Sequence, residues 1–363
     1  EAGDRKEAVG EILTWIHVLG EAPACDPCAQ LEDDLDGEPR LDWLKDKKLL
    51  GKTLSQKLRE IYKNRPADPE QFYISQFPNV GNPMFIHELT YDDIGHPDPG
   101  FRLLALFRYW NMIEYWFPNR DLIDRDWDEV LVAYLPEVLA ADDEESYQLA
   151  FLKLIAEVDD GHANLYSADE YRPPVGPDRL PVVVRFIEDQ AVVTAFADSL
   201  RGPATGLLVG DVILEMDDRK VSELVKEWEP FYPASNQPHR LAGMARNLTR
   251  GPWGPCLLKV KRGETTLTLE PVRAASDRSD RRVGWTHDLP GETFRLLGPD
   301  VGYLKLSTVK LPEAASYLEK AEGTRGLIID IRNYPSAFMV FALGGRLVDE
   351  ATPFVCFTKG DLA

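Results

Sequence analysis

Cysteine, histidine and positive charge are all scarce in this chain of 363 residues, and long apolar runs are missing. Four cysteines and six histidines occur, with no second Cys-x-x-Cys pair and no clustered histidines to complete Cys25-Asp26-Pro27-Cys28. That excludes a zinc-type ligand set read from spacing, so no metal is expected. The pair itself reads as a local disulfide or two unused thiols; if bridged, it indicates an oxidising compartment such as a periplasm. Cys256 and Cys356 lie in apolar surroundings and read as buried. With 41 bases against 61 acids the net charge is −20, which sets most of the surface against nucleic acid. No run long enough to cross a bilayer exists, and residues 1–10 lack the basic start and apolar block of a signal peptide. No phosphate-binding glycine loop appears, and no cofactor is expected. The sequon Asn247-Leu248-Thr249 is a triplet that also arises by chance.

What is present is the material of a globular protein of two or three domains, 44% hydrophobic and 28% charged. Residues 1–100 read as an accessory helical domain. One helix is predicted over residues 7–19, with Ile12, Ile16 and Leu19 on one face, and another over residues 53–63. From Phe101, residues Leu103, Leu106, Phe107, Trp110, Ile113 and Phe117 recur at helical spacing, and the aromatic cluster around Trp110 and Trp116 reads as core. Asp126 with Glu129 forms a capping box opening a second helix. A third, from about Glu144, aligns Tyr147, Phe151, Leu154 and Val158, and ends near Asp159-Asp160-Gly161-His162. After a Pro-rich linker at residues 172–177, alternation at Val182, Val184 and Phe186 predicts a strand, residues 191–196 a second, and short strands with turns continue to Pro271.

A polar bridge at residues 274–282 then leads to a strand at 301–306, a helix near 312–321, the strand Gly326-Leu327-Ile328-Ile329-Asp330, a helix from about Ser336 to Val348, and a strand near 354–357. Such alternation implies right-handed crossovers and a largely parallel sheet, which binds ligands at its strand carboxyl ends. Asp330, Arg332 and Asn333 stand at that rim. A turn sealed by an Asp-Arg pair would present the same residues. Ser336 reads as a helix N-cap and Ser307 as a strand-end residue.

Gly206-Leu207-Leu208-Val209-Gly210-Asp211-Val212-Ile213-Leu214-Glu215-Met216-Asp217, followed by Lys220-Val221, resembles the PDZ pattern, in which a glycine-bearing turn enters an apolar strand. Here Val212, Leu214 and Met216 are expected to supply its buried face. Taken in order, the helix ending in Gly161-His162, the PDZ-like run and the Asp330-Ile331-Arg332-Asn333 strand resemble the S41 serine peptidases, the tail-specific or C-terminal processing proteases, especially their tricorn-like branch. The resemblance covers about residues 100–363.

It implies an α/β multidomain protein: an accessory domain (1–100), a helical first part of the protease core (101–174), an inserted PDZ-like β domain (175–273), and the start of a crotonase/ClpP-like αβ core (274–363). It implies a secreted, periplasmic or envelope hydrolase acting on peptide or protein substrates by proteolysis through an acyl-enzyme. His162 is the implied general base. Read alone, it is a helix-end residue before it is a base, because histidine also stabilises helix C-termini. Where the tricorn branch has serine before the histidine, this chain has Gly161. The oxyanion donor is sought at Asn333 or Tyr334, since Pro335 has no amide to donate. The PDZ-like loop Leu180-Pro181-Val182-Val183 would hold a peptide terminus, with one donor lost at Pro181, or the domain is a lid or spacer. The nucleophilic serine is expected beyond Ala363. The alternative is a non-catalytic PDZ-type peptide-binding protein. A third reading has Ser307 or Ser336 as a nucleophile within the chain.

Overall fold

The computed structural model describes residues 4–21, 24–25, 28, 40–65, 72–78, 82–91, 93–275 and 287–353. The chain divides into two units between Ala150 and Phe151. Among the described residues no helix is long and apolar enough to cross a membrane.

The first unit contains helices α1 (Arg5–Leu19) and α2 (Lys47–Lys63), the hairpin of β1 (Ile74–Gln76) and β2 (Pro83–Phe85), and helices α3 (Pro99–Trp116) and α4 (Trp127–Ala140). Helix α5 (Glu144–Ala156) crosses into the second unit. In α1 the stripe that packs is Val9, Leu13 and Ile16 against Leu50, Leu54 and Leu58, while Ile12 and Leu19 stay exposed. The expected face was thus rotated, because the partner helix, not hydrophobicity alone, selects the side that is covered. Helix α2 kinks at Gly51 (φ 73°), two residues before the predicted start at Thr53. Asp98 caps α3 by accepting from the Gly100 and Phe101 amides, and Pro99 sits where its missing N–H costs nothing. Asp126 caps α4 in the same way. The indole of Trp110 donates to the Trp127 carbonyl at 2.9 Å and Trp127 returns the bond at 3.0 Å, locking α3 to α4. The Cys25–Cys28 pair is bridged. Cys356 and the strand expected near 354–357 lie outside the described residues, as does most of the bridge at 274–282.

The second unit begins with the buried end of α5, where Phe151, Leu154 and Val158 form the expected stripe. Strands β3 (Val182–Ile187) and β4 (Gln190–Phe196) follow, then the short helix α6 (Arg201–Ala204), β5 (Val212–Met216) and β6 (Arg219–Lys220). Helices α7 (Val221–Trp228) and α8 (Gln237–Asn247) come next, then β7 (Gly254–Pro255), β8 (Leu258–Arg262), β9 (Thr265–Leu269) and β10 (Val272–Arg273). An antiparallel sheet in the order β3-β4-β5-β8-β9, with β6 beside β5, wraps one core built from Val184, Val193, Leu207, Ile213, Leu258 and Val260 under Leu224, Trp228, Met244 and Leu248.

Two expectations fail in this body. The run to Pro271 holds helices as well as strands, the two longer ones being α7 and α8. Their apolar residues recur at helical spacing (Val221, Leu224 and Trp228; Leu241, Met244, Ala245 and Leu248), and Asn236 caps α8 just before Pro238. The buried residues of β5 are Ile213 and Met216, not the alternating set Val212, Leu214 and Met216. Leu214 is the extra residue of a bulge against β8, so the alternation slips by one there.

The last segment has β11 (Phe294–Leu296), β12 (Val301–Lys305), α9 (Ala314–Glu319), β13 (Gly326–Asp330) and α10 (Val340–Leu347). Strands β12 and β13 pair in parallel, as expected, but β11 pairs antiparallel on the other side of β12. The described sheet is therefore mixed. Helix α10 starts at Val340, not near Ser336; the Ser336 hydroxyl instead donates to the Val309 carbonyl at 2.7 Å, tying the turn after β13 to the loop after β12.

Candidate functional site

A cavity of about 1000 Å³ opens in the second unit between β3 and α8. Its walls include residues 180–186 from the loop and strand β3, Leu241, Ala242 and Ala245 of α8, and His287, Arg332, Asn333 and Tyr334 from the rim of the αβ segment. The predicted peptide loop (Leu180, Pro181, Val182, Val183) and the predicted oxyanion residues (Asn333, Tyr334) therefore line one space, although some 150 residues of chain separate them.

The loop is short of donors. Pro181 has no N–H, and the Val182 amide donates to the Leu180 carbonyl at 2.8 Å. Among the described residues β3 pairs only with β4, which leaves its other edge toward the cavity.

At the rim, the Asp330 carboxylate is buried and receives a fork from Arg332: Nε at 2.9 Å to one oxygen and Nη2 at 2.6 Å to the other. The Tyr303 hydroxyl adds a bond of 2.6 Å. Hydrogen bonds from Arg332, opposed by burial and aided by Tyr303, hold Asp330 well below the usual carboxylate range. Asp330 and Arg332 thus seal the turn after β13 while Arg332 keeps one face to the cavity. The Asn333 side-chain oxygen accepts from the His287 amide at 2.9 Å, and Arg185 of β3 donates to His287 Nδ1 at 3.0 Å. A guanidinium only donates, so Nδ1 carries the lone pair and the ring is neutral. Burial, then the charges of Arg185 and Arg332, push the His287 pKa down and keep it so. Neither Arg185 nor His287 was singled out in the sequence, since nothing local marks them.

His162 stands elsewhere. It is not among the described residues lining the cavity, and its side chain is fully exposed. Its Nδ1 lies 3.1 Å from Asp160 Oδ1, which also accepts the His162 amide at 2.8 Å, so the ring is oriented with Nε2 outward. Gly161 donates its amide to Ser235 Oγ at 3.2 Å, and a Cβ added there would meet His239 Nε2 at 2.9 Å. The place of the missing helper hydroxyl is thus taken by the imidazole of His239, from the first turn of α8. Ser307 hydrogen-bonds to Asp288, and Ser336 to backbone carbonyls. Among the described residues no group of three or more metal-ligating side chains is assembled.

No family model matches the sequence, and no curated protein matches it. Among solved structures, the chain is similar to mature CPAF, both alone and complexed with lactacystin, with a TM-score of 0.47 and 15% identity over 68% of this chain and 58% of that one. It is also similar to the photosystem II D1 C-terminal processing protease, with a TM-score of 0.29 and 14% identity over 65% of this chain and 61% of that one. The chain spans less than two thirds of the length of these proteins.

Proposed function

We propose that this chain carries the peptide-recognition body and part of the core of a serine-type endopeptidase resembling the S41 family, with a PDZ-like domain inserted in a crotonase-like core. The observation that carries the reading is the single cavity lined both by residues 180–183 beside an open strand edge and by Asn333 and Tyr334 at a sheet rim. An extended peptide adds to β3 through its main chain and leads toward the rim. In this reading a serine outside these 363 residues attacks the substrate carbonyl. His162, which does not line this cavity, would take the hydroxyl proton and pass it to the leaving amine only where the nucleophile brings base and rim into one cleft, while backbone amides near Asn333 hold the oxyanion. Water then repeats the attack on the acyl-enzyme, and the proton returns to the serine. The Asp160 contact supports the role of His162, because a base needs its Nδ1 held and its Nε2 free. The Cys25–Cys28 bridge supports an exported, periplasmic or envelope location.

The test is peptide hydrolysis and fluorophosphonate labelling of the full gene product. His162→Ala should fold and lose at least about a hundredfold in turnover, the usual contribution of a general base. Undiminished turnover overturns the assignment of His162. A second reading, a peptide-binding protein without chemistry, is favoured by the engagement of Ser307 with Asp288 and of Ser336 with carbonyls. It predicts peptide binding with neither labelling nor hydrolysis in the full product.

A further inference from the structure

The cavity beside β3 carries charge opposite to that of the chain as a whole. Acids outnumber bases 61 to 41 overall, yet the lining holds Arg172, Arg179, Arg185, Arg246, Arg250 and Arg332 against Asp169, Glu188 and Asp189. Adding Asp330, which ties Arg332, leaves six guanidiniums to four carboxylates. Four of these arginines are anchored from behind by neighbouring groups. Arg172 is anchored by Asp169 at 3.0 Å, Arg179 by Asn247 Oδ1 at 3.0 Å, Arg250 by the Asp169 carbonyl at 2.8 Å and Arg185 by His287 at 3.0 Å. Held from behind, each loses little side-chain entropy when a ligand arrives. Burial first, and then the charges of Arg185 and Arg332, hold the His287 pKa down, so His287 adds no positive charge of its own.

The loop that ought to capture a carboxylate through amides has lost one donor to proline and spent another on Leu180. Guanidiniums on β3, on α8 and at the rim replace them, and they reach along the groove as well as at its end. We infer that this groove selects extended peptide segments rich in aspartate or glutamate, whose carboxylates are held by arginine side chains, Arg185 and Arg246 among them, in place of loop amides. The inference rests on the peptide-groove reading proposed above. Planar, donor-only guanidiniums suit carboxylates bidentately, and the strand edge supplies main-chain bonds that free acidic amino acids would not use.

Fluorescence anisotropy on the 363-residue chain tests this with a short labelled peptide alternating valine and glutamate and its glutamine counterpart. The glutamate peptide should bind about tenfold or more tightly than the glutamine one, and the gap should narrow as salt rises. Arg246→Gln, on an exposed position of α8, should weaken the glutamate peptide about fivefold and leave the glutamine peptide unchanged, with the thermal melt unmoved. Arg185→Gln should do the same if it folds; Arg246→Gln decides if it does not. Equal binding of the two peptides overturns the acidic selectivity while leaving the peptide groove standing. Binding of neither, nor of an apolar valine-ended peptide, overturns the groove itself. A single-stranded oligonucleotide binding as tightly as the glutamate peptide overturns selection of peptides in favour of any polyanion.

Discussion

The sheet body that begins at Leu180 and the αβ segment after Thr293 belong to the same unit, yet they are built to different completeness. The body closes a core of 18 buried residues, with its strands covered by α7 and α8. Among the described residues the core cluster of the segment holds seven, and Ile328, Ile331, Phe338 and Phe341 are between 47% and 69% exposed. Their acid–arginine pairs differ too. Asp211 and Arg262 are 51 residues apart and clamp the Gly206 turn to β8, whereas Asp330 and Arg332 are two apart and fasten their own turn, with Tyr303 of β12 adding one bond to Asp330. A body stabilised by long-range contacts can serve as a rigid wall, and a segment held by local bonds presents a rim whose polar groups stay available. The cavity lies where the wall meets the rim.

The largest effect expected from this contrast is at Gly176, whose φ of +133° and whose missing Cβ, which would stand 2.1 Å from the Gly251 backbone, pin the linker to the body. Gly176→Ala should cost about 4 kcal/mol or prevent folding, while Gly326→Ala, with open space around its Cβ position, should stay within about 0.5 kcal/mol. Urea midpoints measure both, and equal shifts would break the contrast. Next is the core: Leu258→Ala, fully buried in the body, should cost about 3 kcal/mol, and Ile328→Ala, half-exposed on β13, under about 1 kcal/mol.

The smallest effect sharpens the comparison through pH. Asp330 is held below its ordinary value mainly by Arg332, and Asp211 mainly by Arg262. A depressed carboxyl contributes stability that is complete above its unfolded pKa of about 4 and is lost as pH falls toward the folded value. Stability should therefore drop on acidification below about pH 4, and Asp330→Asn should flatten part of that slope and Asp211→Asn another part. An unchanged acid limb in Asp330→Asn would show that the rim pair contributes nothing measurable.

Much of the frame was legible beforehand. The cap at Asp126 follows from residues within one turn, and strand β13 with its Asp-Ile-Arg turn is announced by an apolar run ending in charge. The alternation at Val182 and Val184 correctly marked the inner face of β3. Helices α7 and α8 were missed although their periodicity was present, because short polar-rich helices between strands resemble turns over a few residues. Strand β11 has three residues and no pattern long enough to register. Leu214 misled because a bulge depends on the partner strand, which lies 44 residues away in the case of the Glu215–Lys259 pair beside it. At the site, the loop at 180–183 and Asn333 and Tyr334 were named from the sequence; Arg185, Arg246 and His287 were not.

Net charge, the capped helices and the strand-to-turn rim are properties of neighbouring residues, and chain order alone settled them. The sign of charge inside the groove is not such a property. Its guanidiniums come from positions 172 to 332, each unremarkable among its neighbours, and in an acidic chain no local count predicts a basic pocket. They meet because the antiparallel sheet lays β3 against α8 and because the parallel pairing of β12 with β13 carries Arg332 to the same opening. Electrostatic potential sums over distance in space, so only the folded arrangement determines which charges add.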